Sequence, residues 1–235
     1  MIIGACVVYN NCHVFNKTLE SFNALCDELV VIDDGSTECT ADERHKVIES
    51  LFKKPFIFNK IEKTEKEIQR RSQLWENICS IGNENDWIVL LDSDECYFEK
   101  SIPRLLKLMN DNHINDNIVY IASSLFNMWT ETEYRVDGYW NPKFEMKRRI
   151  FKLKKDVYKP QNFTEATVEC GEVPGYVFRS SGIVTDCKLL HLGYIREEDR
   201  LRKYNWHKQI DPEGKFHLSS HINSIIQKPE LEELI

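Results

Sequence analysis

The sequence predicts an α/β fold with a mainly parallel central sheet. Within the first 99 residues, short apolar segments typical of buried strands alternate with amphipathic segments typical of helices. Alternation of this kind, with short connections, is the pattern of parallel β-α-β units. Residues 100–213 instead contain strand patterns separated by irregular polar segments, which predicts a mixed sheet in the second half.

The first half shows the clearest alternation. Its strand patterns are runs of apolar residues without polar alternation, as in strands buried on both faces of a sheet. Its helix patterns repeat apolar residues every three or four positions, as Phe15, Leu19 and Phe22 do in the first of them. The strand patterns cover 2–9, 28–34, 55–60 and 86–95, and the helix patterns cover 14–26, 41–52 and 64–82.

The second half is predicted to complete the same globule. A helix is expected near 102–109, strands at 117–129, 145–153 and 182–194, and a charged helix at 196–210. We therefore expect one domain over residues 1–235, with a half resembling nucleotide-binding folds (1–99), a mixed-sheet half (100–213) and a weakly patterned tail (214–235).

Composition and charge exclude several classes of protein. The net charge of −7 disfavours a nucleic-acid surface, since such binding depends on neutralising phosphates. The eight cysteines are scattered without a C-x-x-C pair, which argues against a zinc site or disulfide scaffold and fits a reducing compartment. No segment approaches 18 apolar residues, so no integral membrane segment is expected. A cytoplasmic protein is the expectation.

Acidic residues follow two of the predicted strands. Asp33 and Asp34 end one apolar run, and Asp92, Ser93 and Asp94 end another. In open α/β sheets, ligands bind beyond the carboxyl ends of the strands. Two carboxylates separated by one residue project to the same side of an extended chain and repel each other, so the arrangement favours a bound cation. Mg²⁺ and Mn²⁺ prefer such oxygen ligands and share them with substrate phosphates.

The motifs and their order resemble glycosyltransferase family 2. The relevant segments are "VVYNN", "VVIDDGST", "RSQLWENI", "WIVLLDSDE" and "HLGYIREEDRLRKYNWHKQIDPE". The resemblance spans roughly residues 1–213. It implies a GT-A fold and transfer of a hexosyl or deoxyhexosyl group, with inversion, from a nucleotide-sugar to an acceptor hydroxyl.

The resemblance implies a set of donor-binding residues. Tyr9, in the Tyr9–Asn10 turn, would stack on or flank the nucleobase. Asp34, alone or together with Asp33, would bind the base or ribose. Arg70 or Arg71 would reach the base or diphosphate, and the sequence leaves that choice open. A UDP-sugar is the favoured donor, with GDP- and dTDP-sugars as alternatives.

A metal site is implied as well. Asp94 would be the main ligand of Mn²⁺ or Mg²⁺, and Asp92 would contact the ribose, or the metal through water. Ser93, between them, would line the donor site. His191 matches a histidine that completes the metal shell in related enzymes, and neutral imidazole suits Mn²⁺.

Inversion also requires a general base that takes the acceptor proton. Asp137 is favoured, because it precedes Gly138 in a predicted turn and is flanked by Tyr139 and Trp140, aromatic residues of the kind that pack against sugars. Arg149, with Arg135 and Arg148, would assist with the diphosphate or an acidic acceptor. The other candidate bases are Glu131, Glu133 and Glu145.

Each of these residues also has a structural interpretation. Tyr9 and Asn10 could end a strand, His191 could be a half-buried histidine, Arg70 and Arg71 could form a solvated helix face, and Asp137 could be a turn residue. A nucleotidyltransferase and a dehydrogenase are disfavoured because no glycine-rich loop follows the first strand. The remaining alternative is a catalytically idle module that binds nucleotide or sugar. The expected acceptor is a glycan, glycoprotein or glycolipid, and the oligomeric state is left open.

Overall fold

Ten strands are formed by the residues that the computed structural model describes, which are 1–63, 67–111, 117–155, 173–213 and 219–235. The strands are β1 (Ile2–Val8), β2 (Glu28–Asp34), β3 (Phe56–Ile61), β4 (Trp87–Leu90), β5 (Glu95–Tyr97), β6 (Tyr120–Asn127), β7 (Glu133–Arg135), β8 (Met146–Lys152), β9 (Gly182–His191) and β10 (Leu231–Glu233). The helices are α1 (Cys12–Leu25), α2 (Ala41–Leu51), α3 (Glu67–Ile81), α4 (Ile102–Asn110), α5 (Gly175–Phe178), α6 (Glu197–Ile210) and α7 (Ser219–Ser224). No helix among these residues is long and apolar enough to cross a bilayer.

An eight-stranded sheet forms the centre of the molecule, in the order β3-β2-β1-β4-β8-β6-β9-β5. The first four of these strands are parallel to one another. Beyond them, β8 is antiparallel to both β4 and β6, while β6 and β9 are parallel. The prediction of a mainly parallel first half joined to a mixed second half is confirmed.

Helices cover both faces of the parallel half. On β1, Cys6 and Val8 pack in the cluster that includes residues of α1, α2 and α4. Ile3 and Ala5, on the opposite face, pack with residues of α3 and α5. Because side chains alternate along a strand, a strand covered on both faces must be apolar throughout, which explains the unbroken run in the sequence.

The weakly patterned segment 214–235 contains two short elements. β10 pairs with β7 in an antiparallel ribbon, and Ile222 of α7 is buried. The hydroxyl of Tyr134 donates to Glu232 over 2.7 Å across this ribbon. The predicted division into parts stays a prediction. Seven cysteines have free thiols, and Cys170 lies outside the described residues.

Candidate functional site

The carboxyl ends of β1, β2 and β4 lie at one edge of the sheet, because β1 pairs in parallel with both of the others. The loop that follows β1 contacts the loops that follow its two neighbours. Asn10 donates its backbone N–H to Ser36 Oγ over 2.8 Å, and Asn11 Nδ2 donates to Ser93 Oγ over 3.0 Å. The acidic strand ends singled out in the sequence therefore border one cleft.

Two consecutive asparagines shape the loop after β1. Asn10 and Asn11 have φ values of 56° and 57°. This left-handed conformation is costly for most residues, and asparagine tolerates it better than most. Asn10 Oδ1 accepts from the backbone N–H groups of Thr37 and Glu38, at 2.9 and 3.3 Å. The strained turn is thereby fixed against the β2 loop, and it leaves the preceding Tyr9 exposed.

Tyr9 and Asp34 lie on either side of Lys63 at this edge. Asp34 is buried, and its Oδ2 lies 2.9 Å from Lys63 Nζ and 3.6 Å from Arg70 Nη1. Lys63 Nζ also lies over the Tyr9 ring, 3.4 Å from its centroid, and Tyr9 is 41% exposed. Gly35 has a φ of 72°, and a Cβ there would fall 2.6 Å from the backbone nitrogen of Lys63, so glycine lets that segment pass closely. A partly exposed aromatic ring thus lies beside a carboxylate and two cations.

Asp33 has a different role from its neighbour. It is buried, and its Oδ2 lies 2.7 Å from Arg44 Nε, while its Oδ1 accepts from the N–H of Ser36 over 2.7 Å. Arg44, also buried, donates to the carbonyl of Asn10 over 3.2 Å. The Asp33 carboxylate therefore holds the surrounding loops, and its predicted contact with the nucleotide stays a prediction.

Asp92 lies between positive charges. Its Oδ2 is 2.5 Å from Nη2 of the buried Arg149, which also lies 2.6 Å from Glu95 Oε1. Desolvation would raise the pKa of Asp92, but the nearby charges of Arg149 and Arg71 outweigh it and hold this pKa below its ordinary value. Desolvation raises the pKa of Glu95, which is 3% exposed. Arg149, predicted to assist with the diphosphate, neutralises these acids from within the protein.

Arg70 and Arg71 have different partners within the protein. Arg70 contacts Asp34, whereas Arg71 acts electrostatically on Asp92. These two adjacent residues of α3 thus interact with carboxylates at two different strand ends. Their contact with a ligand stays a prediction.

Asp94 and His191 converge on one position. Asp94 Oδ2 lies 3.3 Å from His191 Nε2, and Lys203 Nζ lies 3.0 Å from each of these atoms. Burial would raise the pKa of Asp94, but the neighbouring charge of Lys203 outweighs it and holds this pKa well below its ordinary range. The segments meet because β5 pairs with β9, and because the N–H of Leu192 donates to the carbonyl of Asp94 over 2.7 Å.

The hydrogen bonds of His191 fix its tautomer. Asn127 Nδ2 donates to Glu145 Oε2 over 3.1 Å, which turns Asn127 Oδ1 toward His191 Nδ1 at 2.8 Å. An amide oxygen only accepts, so Nδ1 donates to Asn127, and an ammonium only donates, so Nε2 accepts from Lys203 Nζ over 3.0 Å. This is the form of histidine that binds a metal, with its other nitrogen oriented by a hydrogen-bonding partner.

Gly193 leaves space between Asp94 Oδ2 and His191 Nε2, where Lys203 Nζ lies. A Cβ at this position would overlap Lys203 Nζ and Asp94 Oδ2 and would lie 3.0 Å from His191 Nε2. Only a residue without a side chain leaves room for a cation between these groups.

The donor set suits a divalent ion held by two protein ligands. The predicted shell of Asp92, Asp94 and His191 is not assembled as a group of three: among the described residues, no three His, Cys, Asp or Glu side chains are placed to hold a metal. Asp92 instead contacts Arg149. Mg²⁺ and Mn²⁺ in phosphate-transfer sites commonly take one or two protein ligands and complete their shell with water and phosphate, so Asp94 and His191 fit such an ion.

The residues predicted for acid–base chemistry lie apart from one another. Asp137 forms a bidentate pair with Arg135, with oxygen–nitrogen distances of 2.6 and 2.7 Å. Hydrogen bonding to Arg135 holds the pKa of Asp137 below its ordinary value, which makes this carboxylate a weaker base. Glu133 accepts from Thr130 Oγ1 over 3.2 Å at the start of β7. Their catalytic roles stay predictions.

The two aromatic residues beside Asp137 differ in their exposure to solvent. Tyr139 is 54% exposed, but Trp140 is 2% exposed and donates its Nε1–H to Ser224 Oγ over 2.8 Å. Trp140 also packs edge to face with Trp129 and Tyr194. Of the two aromatic residues expected to meet a sugar, only Tyr139 is free to do so by its exposure.

Three residues of the site were missed in the sequence. Lys63 has no motif around it, and Asn127 ends a strand whose partner is far away in sequence. Lys203 lies in the charged pattern of α6, where it looked like one more solvated cation. No local signal distinguishes it, because its partners, Asp94 and His191, come from the turn between β4 and β5 and from the end of β9.

Comparison with known proteins identifies the family. The family model described as glycosyl transferase family 2 matches residues 6–164. No curated protein gives a significant match. The matched segment contains the Tyr9, Asp34 and Asp92–Asp94 positions, whereas His191 and Lys203 lie beyond it.

Solved structures resemble the chain only distantly. The inositol-1-phosphate CTP transferase from T. maritima is 12% identical, with a TM-score of 0.46, over 84% of this chain and 89% of that one. The mannosyltransferase PcManGT from Pyrobaculum calidifontis, solved with GDP-Man and Mn²⁺, is 12% identical, with a TM-score of 0.47, over 97% of this chain and 65% of that one. A nucleoside-diphosphate-sugar pyrophosphorylase from Vibrio cholerae RC9 is 11% identical, with a TM-score of 0.46, over 86% and 98%.

The family assignment therefore depends on the family model. That model covers more than half of the 235 residues, and the fold is the α/β arrangement predicted for the family. The chain belongs to glycosyltransferase family 2, with a GT-A type fold, and is a transferase that uses a nucleotide-sugar.

Proposed function

We propose that the protein is an inverting glycosyltransferase, which moves a sugar from a nucleoside diphosphate to an acceptor hydroxyl with the help of a divalent cation. The observation that carries the proposal is the convergence of Asp94 Oδ2 and His191 Nε2 on one cation position, at the same sheet edge as Tyr9 and Asp34. UDP-sugars are the first donors to test, with GDP- and dTDP-sugars next.

The nucleoside would bind beside Tyr9. The ring of Tyr9 is 41% exposed and would flank the base, and Asp34, beside Lys63, would offer acceptor oxygens for a base or ribose. Arg70 lies on this side and Arg71 near Asp92, so the two arginines would accompany the nucleotide from its base toward its diphosphate.

The reaction separates charge at the sugar. The acceptor oxygen attacks the anomeric carbon, the bond from that carbon to the diphosphate oxygen breaks, and the nucleoside diphosphate leaves with the bonding electrons. A divalent ion on Asp94 and His191 would supply electrostatic stabilisation of this leaving group.

A base must accept the proton of the acceptor hydroxyl. Among the predicted candidates, Glu145 is the one joined to the His191 network, through Asn127. Its carboxylate is 31% exposed and has a looser ion pair, with Lys147 Nζ at 3.4 Å, whereas Asp137 is held by the buried Arg135 over 2.6 Å. We therefore favour Glu145 over Asp137 and Glu133 as the base.

A panel of nucleotide-sugars tests the proposal. Purified protein with Mn²⁺ or Mg²⁺ should hydrolyse one donor slowly, or transfer its sugar, and a chelator should abolish turnover. The anomeric configuration of the product, read by NMR, should be inverted. A retained configuration, or turnover that survives the chelator, would contradict the corresponding part of the proposal.

A catalytically idle binding module is the second candidate. It is favoured by one observation: Lys203 already fills the cation position. A thermal shift with UDP or GDP, and no turnover of any donor in the panel, would support it. The glycan, glycoprotein or glycolipid acceptor and the cytoplasmic location stay predictions under either candidate.

A further inference from the structure

We propose that Lys203 is a tethered competitor for the divalent cation: its ammonium group occupies the position between Asp94 and His191 and has to leave before a metal ion can bind there. This inference rests on the metal site of the proposed function. It concerns the free protein and predicts how strongly the site binds a metal in the absence of donor.

The contacts of Lys203 place its charge at the convergence point. Nζ lies 3.0 Å from Asp94 Oδ2 and 3.0 Å from His191 Nε2, which are the two atoms that would ligate a metal. The ammonium therefore uses both protein ligands at once. A metal ion and this group cannot share them, because each needs the same lone pairs.

The available space leads to the same conclusion. The position of a Cβ on Gly193 would overlap both Lys203 Nζ and Asp94 Oδ2. Lys203 Nζ and Asp94 Oδ2 therefore fill the space beside Gly193. A metal ion can enter it only if the ammonium group of Lys203 moves out. Two positive charges side by side would also repel each other strongly at this depth.

The Lys203 side chain can move away from the two ligand atoms. It is 22% exposed, and lysine has a flexible four-carbon stem. The helix that carries it is fixed independently, since Arg200 donates to the carbonyl oxygens of Tyr194 and Ile195 over 2.6 and 3.0 Å. Rotation of the stem can therefore carry the ammonium toward solvent without displacement of α6.

Binding of Mn²⁺ alone, without nucleotide, tests the inference. Free Mn²⁺ is measured by electron paramagnetic resonance during titration of the unaltered protein, Lys203→Met and Lys208→Met. The Lys208 variant is the control, because this lysine lies on the same helix and its Nζ is 5.7 Å from the ring of Tyr204. We expect Lys203→Met to bind Mn²⁺ at least about tenfold more tightly, equivalent to about 1.4 kcal/mol, and Lys208→Met to match the unaltered protein.

Two results would overturn the inference. One is equal or weaker Mn²⁺ binding by a folded Lys203→Met variant. The other is an absence of Mn²⁺ binding by every protein in the series. Circular dichroism establishes that each variant is folded.

A second measurement uses the unaltered protein and so does not depend on a variant. Lysine acylation followed by mass spectrometry reports how accessible each ammonium group is. Saturating Mn²⁺ should raise acylation of Lys203 several-fold and leave Lys208 unchanged. Unchanged acylation of Lys203 at saturation would show that the ammonium stays in place, contrary to the inference.

These readouts separate the inference from the proposed function. Tighter Mn²⁺ binding by Lys203→Met, with no turnover of any nucleotide-sugar, would support the role of Lys203 as a competitor and contradict the proposed transferase reaction. Turnover that depends on Mn²⁺, with Mn²⁺ binding unaffected by Lys203→Met, would support the proposed reaction and contradict the role of Lys203 as a competitor.

Discussion

Asp94 Oδ2 and His191 Nε2 lie 3.3 Å apart, and each presents lone pairs to the other. The proton of the imidazole is on Nδ1, where Asn127 Oδ1 accepts it. Two groups of this kind repel each other unless a positive charge lies within reach of both. The pair is therefore a cation site by its own chemistry, and Lys203 fills it in the free protein.

Replacement of Asp94 tests the value of this site for catalysis. Asp94→Asn removes the negative charge but keeps the shape of the side chain. We expect donor turnover with Mn²⁺ to fall by about 10²–10³, the usual cost of removing one electrostatic contact to a developing charge. Asp186→Asn is the matched control, since Asp186 is an exposed aspartate on β9. Full turnover in folded Asp94→Asn would contradict the metal role.

Replacement of Asp33 should mainly lower the stability of the protein, whereas replacement of the neighbouring Asp34 should mainly weaken nucleotide binding. Asp33→Asn leaves the buried Arg44 without its carboxylate, so the free energy of unfolding should fall by about 3–5 kcal/mol. Asp34→Asn affects a pair with the half-exposed Lys63, so it should cost less stability but weaken UDP binding about tenfold.

Urea denaturation and calorimetric titration with UDP measure the two effects. A large loss of UDP affinity in a stable Asp33→Asn variant would assign the nucleotide contact to Asp33 instead.

The assignment of the base is tested by Glu145→Gln and Asp137→Asn. If Glu145 accepts the acceptor proton, Glu145→Gln should lower kcat by about 10²–10⁴ with little change in the KM for donor. Donor hydrolysis and transfer should be measured at several pH values. A variant of Glu145 with normal kcat, combined with an inactive but folded Asp137→Asn, would return the role to Asp137.

The pair of Asp137 and Arg135 should make stability depend on pH. The pKa of Asp137 is lowered in the folded protein, so the ion pair stabilises the fold above the unfolded pKa of about 3.9 and is lost as the pH falls toward the lower folded value. At pH 7, Asp137→Asn should cost about 3 kcal/mol, because Arg135 is 1% exposed.

The difference in unfolding free energy between Asp137→Asn and the unaltered protein should shrink below about pH 4. Denaturation curves at a series of pH values measure it. A difference that stays constant down to pH 3 would show that the charge of Asp137 contributes nothing.

The parallel half could be predicted because its signals are local. Strands such as β1 and β2 are buried on both faces, and their sequences show it directly as unbroken apolar runs. The acids at their ends follow from the same rule, since parallel strands bring their carboxyl ends to one edge. The sequence alone therefore predicts Tyr9, Asp34 and Asp92 at this edge.

The rest of the site depends on pairings between distant segments. β5 has three residues, too few for any periodic pattern, yet its pairing with β9 brings His191 beside Asp94. β10 is equally short, so its pairing with β7 could not be read from the tail. Lys203 reaches Asp94 across 109 positions of sequence, and Asn127 reaches His191 across 64. Long-range contacts of this kind leave no trace in local composition.

Arg70 and Arg71 link two regions of the cleft that would bind different ends of one donor. Arg70 contacts Asp34 on the nucleoside side, and Arg71 acts on Asp92 near the diphosphate. The two residues are successive on one helix. If the donor binds as proposed, occupation of the nucleoside end would be linked thermodynamically to the charge environment of the diphosphate end, and linkage of this kind acts equally in both directions. An intact nucleoside diphosphate would gain cooperative affinity that a nucleoside and pyrophosphate supplied separately would lack.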